Sequence, residues 1–251
     1  MTFSVADEVL VATTLFLGVV AIFGPAYADK FKAWLLRPVL RIEFRLSPPD
    51  CHLTDSILVL SPGQKSKEPI YFYRLRVTNI GKTQARKCEI VIEGLAIANE
   101  AGRFQPYPTY TPVRLVWGSG NGEFVDINPG RQLFCDFVSI PNAASQKVYR
   151  DLYGIYVDLK YAPPYDLGIV LNVNAAFFSQ PNRLPQGRYR LDVAVYSENA
   201  DKASQSLFVS WSGAWKSQEH EMFRECVIST REEDARRAWD RPFTPSPVEG
   251  G

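Results

Sequence analysis

Residues 70–79 read IYFYRLRVTN. Tyr71, Tyr73, Leu75 and Val77 fall on alternate positions, with Arg74 and Arg76 between them. That period of two is the pattern of a half-buried strand, apolar towards a core and charged towards water. The next residues, Asn79-Ile80-Gly81-Lys82, predict a turn, with Gly81 available for a left-handed backbone. KCEIVIEGLAI (87–97) is then expected to return as the partner strand. The word Tyr-Arg-Leu-x-Val recurs at 189–193. RYRLDVAVYS (188–197) places Tyr189, Leu191, Val193 and Val195 on one face, and SQSLFVSWSG (204–213) does the same with Leu207, Val209 and Trp211. The two hairpins are expected to share one sheet. Arg74, Arg76, Arg188 and Arg190 read as solvated strand-face residues; the functional alternative is a cationic face for an anion or an acidic lipid.

Working outward, VLRIEFRLS (39–47), VRLVW (113–117), EFVDI (123–127), RQLFCDFVSI (131–140), YGIYVDLKY (153–161) and GIVLNVNAAFF (168–178) also read as strands. Turns such as Asn128-Pro129-Gly130 separate them. Many short strands at this spacing predict a mainly β, antiparallel sandwich over residues 39–215. Residues 216–240 lack this alternation, and Thr230 with Glu233 reads as a capping box opening a short helix that ends at Trp239. Phe223, Val227 and Ile228 are expected to hold the preceding turn to the domain. Residues 241–251 read as a tail without regular structure.

The chain of 251 residues carries a net charge of +1, so no global field draws it to nucleic acid. Its hydrophobic content of 46% is enough for a core. From Val9 to Ala28 no charge occurs in VLVATTLFLGVVAIFGPAYA. At about 1.5 Å per residue this stretch is long enough to cross a bilayer. Asp7 and Glu8 precede it and Lys30, Lys32 and Arg37 follow, so residues 1–38 are expected to form a single-pass anchor with its N-terminus outside and a cytoplasmic domain. Lys30, Lys32, Trp34 and Arg37 are candidate interface residues, with membrane lipid as their partner. The small stripe of Thr14, Gly18, Ala21 and Pro25 is a candidate for self-association. A rival reading cleaves a signal peptide after Ala28 and exports the domain; an n-region with acidic residues and no basic one opposes it.

RLRVTNIGKTQARKCEIVI resembles the V-x-N-x-G signature strand of bacterial immunoglobulin-like sandwich domains, including the cell-adhesion-related CARDB-type modules. INPGRQLFCDF is similar to their later strand, entered by a Pro-Gly turn. The layout also resembles uncharacterised bacterial proteins with one N-terminal membrane helix. The resemblance covers roughly residues 70–140, implies a binding or assembly role, and carries over no functional residue.

Chemistry is sparse in the sequence. Cys51, Cys88, Cys135 and Cys226 match no metal spacing and read as reduced structural thiols. GSGNG (118–122) lacks the helix a phosphate cradle needs and reads as a hairpin turn. His52 and His220 lie in no zinc or nucleophile motif. No catalytic set, cofactor or metal is expected. The aromatic, proline-rich segments 98–112 and 160–168 offer Phe104, Tyr107, Tyr110, Tyr161 and Tyr165 as candidate recognition residues. The leading expectation is a membrane-tethered, non-catalytic binding module. The alternative is an oligomeric membrane effector, of the kind found in bacterial anti-phage defence, whose sandwich senses a signal.

Overall fold

Strand alternation builds two sheets, and the two Tyr-Arg-Leu-x-Val segments belong to different ones. The structure is a computed structural model that describes residues 34–61, 64–108, 110–118, 122–142, 168–173 and 183–240, with Thr13, Thr14, Gly18, Gly24, Tyr27, Ala28, Lys30 and Lys32. The first sheet contains β1 (Leu40–Glu43), β2 (Cys51–Ser61), β3 (Gln64–Asn79), β7 (Val116–Trp117), β9 (Gln132–Pro141), β10 (Ile169–Leu171) and β11 (Arg183–Leu184). Its order is β1-β3-β9-β10-β11; β2 lies beside β1 on the same edge of β3, and β7 joins β9. The second contains β4 (Ala85–Ala98), β5 (Phe104–Pro106), β6 (Val113–Arg114), β8 (Val125–Ile127), β12 (Gly187–Tyr196), β13 (Ala203–Trp211) and β14 (Cys226–Ser229). Its order is β14-β13-β12-β4-β5, with β6 and β8 also on β4. Helices α1 (Glu219–Glu225) and α2 (Glu232–Trp239) flank β14.

The core lies between the sheets. Tyr71, Tyr73, Leu75 and Val77 of β3 and Phe137 and Ile140 of β9 meet Ile90 and Ile92 of β4, Leu191 and Val193 of β12, and Val209 and Trp211 of β13. The inward residues expected on β3, β12 and β13 are all buried. The chain passes between sheets along one side: Val113 pairs with Ile92 of β4, while Trp117 pairs with Cys135 of β9. There the two sheets run partly into one another, as in half of a barrel.

Three turn readings are corrected. Residues 87–97 do not return beside β3; β3 pairs with β1, β2 and β9, and β4 pairs with β12. The two expected hairpins therefore do not share a sheet as pairs of neighbours, and only the later one, β12–β13, forms, from Gly187↔Trp211 to Val195↔Ala203. The GSGNG stretch joins β7 of the first sheet to β8 of the second, so its flanks form no hairpin. Asn79, fully buried, decides the crossing after β3. Its Nδ2 donates to Thr83 O and Ile127 O, both at 2.8 Å. Its Oδ1 accepts from Gly81 N at 2.9 Å and Val39 N at 3.3 Å. Its backbone oxygen accepts from Gly130 N at 2.8 Å. One residue therefore ties the turn after β3, the strand entry before β1 and the turn before β9. Gly81 is needed here for close approach and not for a left-handed φ: a Cβ would stand 2.4 Å from Val39 N and 2.5 Å from Arg37 O.

The single-pass membrane anchor is also corrected. Among the described residues, no helix is long and apolar enough to cross a membrane. The topology drawn from that anchor falls with it: N-terminus outside, domain cytoplasmic, membrane lipid as partner, self-association through the helix. Of the small stripe, Thr14 and Gly18 are helical, while Ala21 and Pro25 lie outside the described residues. Of the interface set, Lys30, Lys32 and Trp34 are exposed on helical backbone. Arg37 pairs with Asp201 and stands 5.7 Å from the centre of the Trp34 ring. Lys82 N, Ile80 N and the Thr83 hydroxyl donate to Arg37 O, Val39 O and Leu36 O, which seats this segment on the β-domain.

Residues 216–240 hold a strand as well as two helices. β14 pairs with β13 from Phe208↔Ser229 to Trp211↔Cys226. The capping box is not formed. Arg231 is the N-cap of α2, with no side-chain cap bond. The Ser229 hydroxyl donates to Asp234 of the first turn at 2.9 Å and accepts from Arg231 N at 3.0 Å.

Candidate functional site

An open groove of about 660 Å³ lies where α1 meets the edge strand β2, lined by Leu53, Ser217, Gln218, Glu219, His220 and Phe223. Phe223 is its aromatic wall, and the inward rings of β3 pack behind it. The Tyr71 hydroxyl donates to Ser217 O at 3.2 Å, and the Trp215 ring lies 5.7 Å from Tyr71. Phe223 of α1 meets Tyr71 and Tyr73 edge-on, each at 6.3 Å. Such edge contacts suit aromatic quadrupoles and fix ring orientation. Burial, with Glu219 and Glu221 adding to it, pushes the Tyr71 hydroxyl up to about 12, so it stays a hydrogen-bond donor.

Glu219 is the polar feature of the groove. Its Oε1 accepts from Leu53 N at 2.9 Å. That bond uses an amide that an edge strand would otherwise leave open, and it holds the carboxylate above Leu53 and Phe223. The helix is pinned at its far end, where Ser212 N donates to Glu225 O at 3.0 Å and the Ser212 hydroxyl bonds the Glu225 carboxylate. His220 is exposed on the rim.

His52 stands beside the groove on the outer face of β2, stacked on Phe72 at 6.4 Å. Burial and Arg74 lower its pKa, against the opposing pull of Glu219 and Asp136. Asp136 on β9 is raised by burial, with Arg74 and His52 pulling the other way. Cys51, next to His52 in sequence, points into the core, so a Cys-His pair is geometrically excluded by strand alternation. All four thiols are free and buried. Burial pushes Cys88 to about 11 and Cys226 to about 12, which keeps both protonated and poor nucleophiles. Among the described residues no cluster of His, Cys, Asp or Glu has the geometry of a metal site.

No family model matches the chain, and no curated protein matches it. The resemblance to bacterial immunoglobulin-like, CARDB-type modules behind a membrane helix is corrected: the two sheets run partly into one another as in half of a barrel, and among the described residues no helix is long and apolar enough to cross a membrane.

The aromatic loop residues are placed as follows. Tyr107 and Tyr110 are partly buried against the core, and burial raises the Tyr110 hydroxyl to about 12. Phe104 sits on β5, 5.7 Å from Phe208. Tyr161 and Tyr165 lie outside the described residues. The groove itself escaped the sequence reading. Its two halves are more than 160 residues apart, as the bond between Leu53 and Glu219 shows, and KSQEHEMF (216–223) looks like a solvated charged run. The signal available was Phe223, read as a packing residue.

Proposed function

We propose that the chain is a binding module that takes an extended, basic segment of a partner protein in the groove between β2 and α1. The observation that carries this reading is the Glu219 carboxylate, held by Leu53 N at 2.9 Å beside an apolar, aromatic wall. A lysine or arginine entering there lays its aliphatic stem on Leu53 and Phe223 and brings its charge to Glu219, with Glu221 on the same helical turn. Lys216 and Arg224 flank the site, so the pull on a basic segment is local and set by position. That wall is backed by packed rings, which lowers the ordering cost of binding. Turnover is not part of the proposal: the thiols are protonated, and Cys51 and His52 face apart.

The test is selection from a displayed peptide library against the full chain, with the Glu219→Gln chain as counter-target. That substitution keeps an acceptor for Leu53 N and removes the charge. Enrichment of peptides with a basic residue between apolar ones, bound roughly tenfold more weakly by Glu219→Gln, is expected. Peptides that bind both chains equally, or no enrichment at all, would overturn it.

A further inference from the structure

We propose that the second sheet carries an oxyanion site at Arg188, on the face opposite the groove's sheet and independent of the groove. Arg188 lies on the outer face of β12 yet is only 7% exposed. Its Nε and Nη2 are buried without a hydrogen-bond partner. Its guanidinium carbon stands 5.5 Å from the centre of the Phe104 ring, and among the described residues no carboxylate forms an ion pair with it. Removing a cation from water is costly unless an opposite charge or hydrogen bonds compensate it. A ring face compensates only part of that cost. Arg190, two residues on, shows the compensated arrangement, with Asp192 at 3.3 Å.

Gly102, Ser210 and Phe104 enclose the guanidinium. Gly102 takes φ +75°, and a Cβ there would stand 3.3 Å from Arg188 Nη1. The turn that presents Gly102 is fixed by Asn99, whose backbone oxygen accepts from Gly102 N at 2.8 Å and whose Oδ1 accepts from Arg103 N at 2.9 Å. Ser210, 3% exposed, is the cross-strand neighbour of Arg188. Phe104, half-buried on the three-residue strand β5, stands over the guanidinium, and a ligand would reach Nε and Nη2 by displacing this ring. The group that fits is a planar or tetrahedral oxyanion, a carboxylate or a phosphate, which takes two parallel N–H bonds from one guanidinium. Exposed Arg103 adds to the attraction and exposed Glu100 opposes it.

The test is thermal melting of the full chain in sodium phosphate, in sodium acetate and in sodium chloride of matched ionic strength, for the natural chain and for Arg188→Met. A ligand that binds the folded state raises the melting temperature with its concentration. A saturable rise in phosphate or acetate over chloride, absent in Arg188→Met, is expected. A rise in phosphate alone assigns a phosphoryl group, in acetate alone a carboxylate, and in both an oxyanion of either kind. Gly102→Asn, which tolerates positive φ but fills the approach, is the second variant, expected to weaken the response roughly tenfold while melting cooperatively. No rise over chloride, or the same rise in Arg188→Met, would overturn the site.

Discussion

On β3, Arg74 and Arg76 stand over the Phe134 ring of the neighbouring strand, at 4.7 and 5.9 Å. On β12, Arg188 stands over Phe104 of β5 at 5.5 Å. The strands share a word and a cation–ring device, but their counter-charges differ. The first sheet supplies its own anion: Asp50, wholly buried at the corner between β1 and β2, accepts from Arg76 at 2.6 Å and from Arg45 N at 2.9 Å. Arg74 also donates to Pro49 O at 2.7 Å. The second sheet pairs Arg190 with Asp192 and leaves Arg188 to its ring. A strand face neutralised by its own chain holds the fold together. One with an uncompensated cation keeps a capacity to bind. The turns after the two strands differ in the same way. Asn79 is buried and carries the chain between sheets. Asn199 sits nearer the surface and ties the β12–β13 turn to the start of β4, donating to Gln84 O at 2.9 Å and accepting from Arg86 N at 2.8 Å.

The comparison is strained hardest by Asn79→Ala. It leaves Val39 N, Gly81 N, Thr83 O and Ile127 O without their side-chain partner, and urea denaturation should show a loss of about 3–4 kcal/mol. Next comes Asp50→Ala. It strands Arg76 and Arg45 N in a buried corner, for a loss of about 3 kcal/mol. Asn199→Ala should cost about 1 kcal/mol by the same measurement, because water reaches its partners. Equal losses for the two asparagines would break the distinction between a crossing turn and a hairpin turn. Arg188→Met, in a buffer without oxyanions, should be neutral or stabilising, since it removes a buried charge that has no ion-pair partner among the described residues. If Arg188→Met cost as much as Asp50→Ala, both arginine faces would be structural and the contrast would fail.

The alternation of Tyr, Leu and Val made β3, β12 and β13 readable, because a half-buried strand leaves a period of two in any sequence. The partner of each strand was less readable. A polar turn containing Gly looks the same whether the chain doubles back or crosses to another sheet. What separates the cases after Val77 is the bonding of Asn79 to residues 39, 83 and 127, which no local window contains. β2 was missed because Ile57-Leu58-Val59-Leu60 is a continuous apolar run without alternation. β14 was missed because four residues between two short helices carry too little pattern. The helix begins after Arg231 and not after Thr230, and its first turn is tied instead to Ser229, the last residue of β14. The uncharged residues 9–28 set the largest wrong expectation: hydropathy reports length and polarity, and the described helical residues there form no span.

The smallest expected effect concerns the polar face shared by β2, β3 and β9, which has no counterpart on β12. His52 titrates below its ordinary value of 6.5 in the folded chain, chiefly through burial, then through Arg74. The unfolded chain therefore binds more protons than the folded one as pH falls through about 6.5, and stability is lost in that direction. Asp136 has the opposite sign. Its carboxyl is raised above 3.8 by burial, so the folded chain takes its proton first and gains stability as pH falls through the raised value. The His52 loss begins where the unfolded imidazole takes its proton, at about 6.5. Denaturation midpoints followed from about pH 7.5 down to about 5.5 should fall for the natural chain and fall less for His52→Gln, which keeps a polar group on Phe72 without the titration. Asp136→Asn should flatten the gain at lower pH and deepen the loss near neutrality, because Asp136 opposes the lowering of His52. If His52→Gln and the natural chain kept the same slope near neutrality, neither burial nor Arg74 would be acting on His52. The first sheet's face would then be a set of separate pairs, without the coupled network that sets it apart from the second.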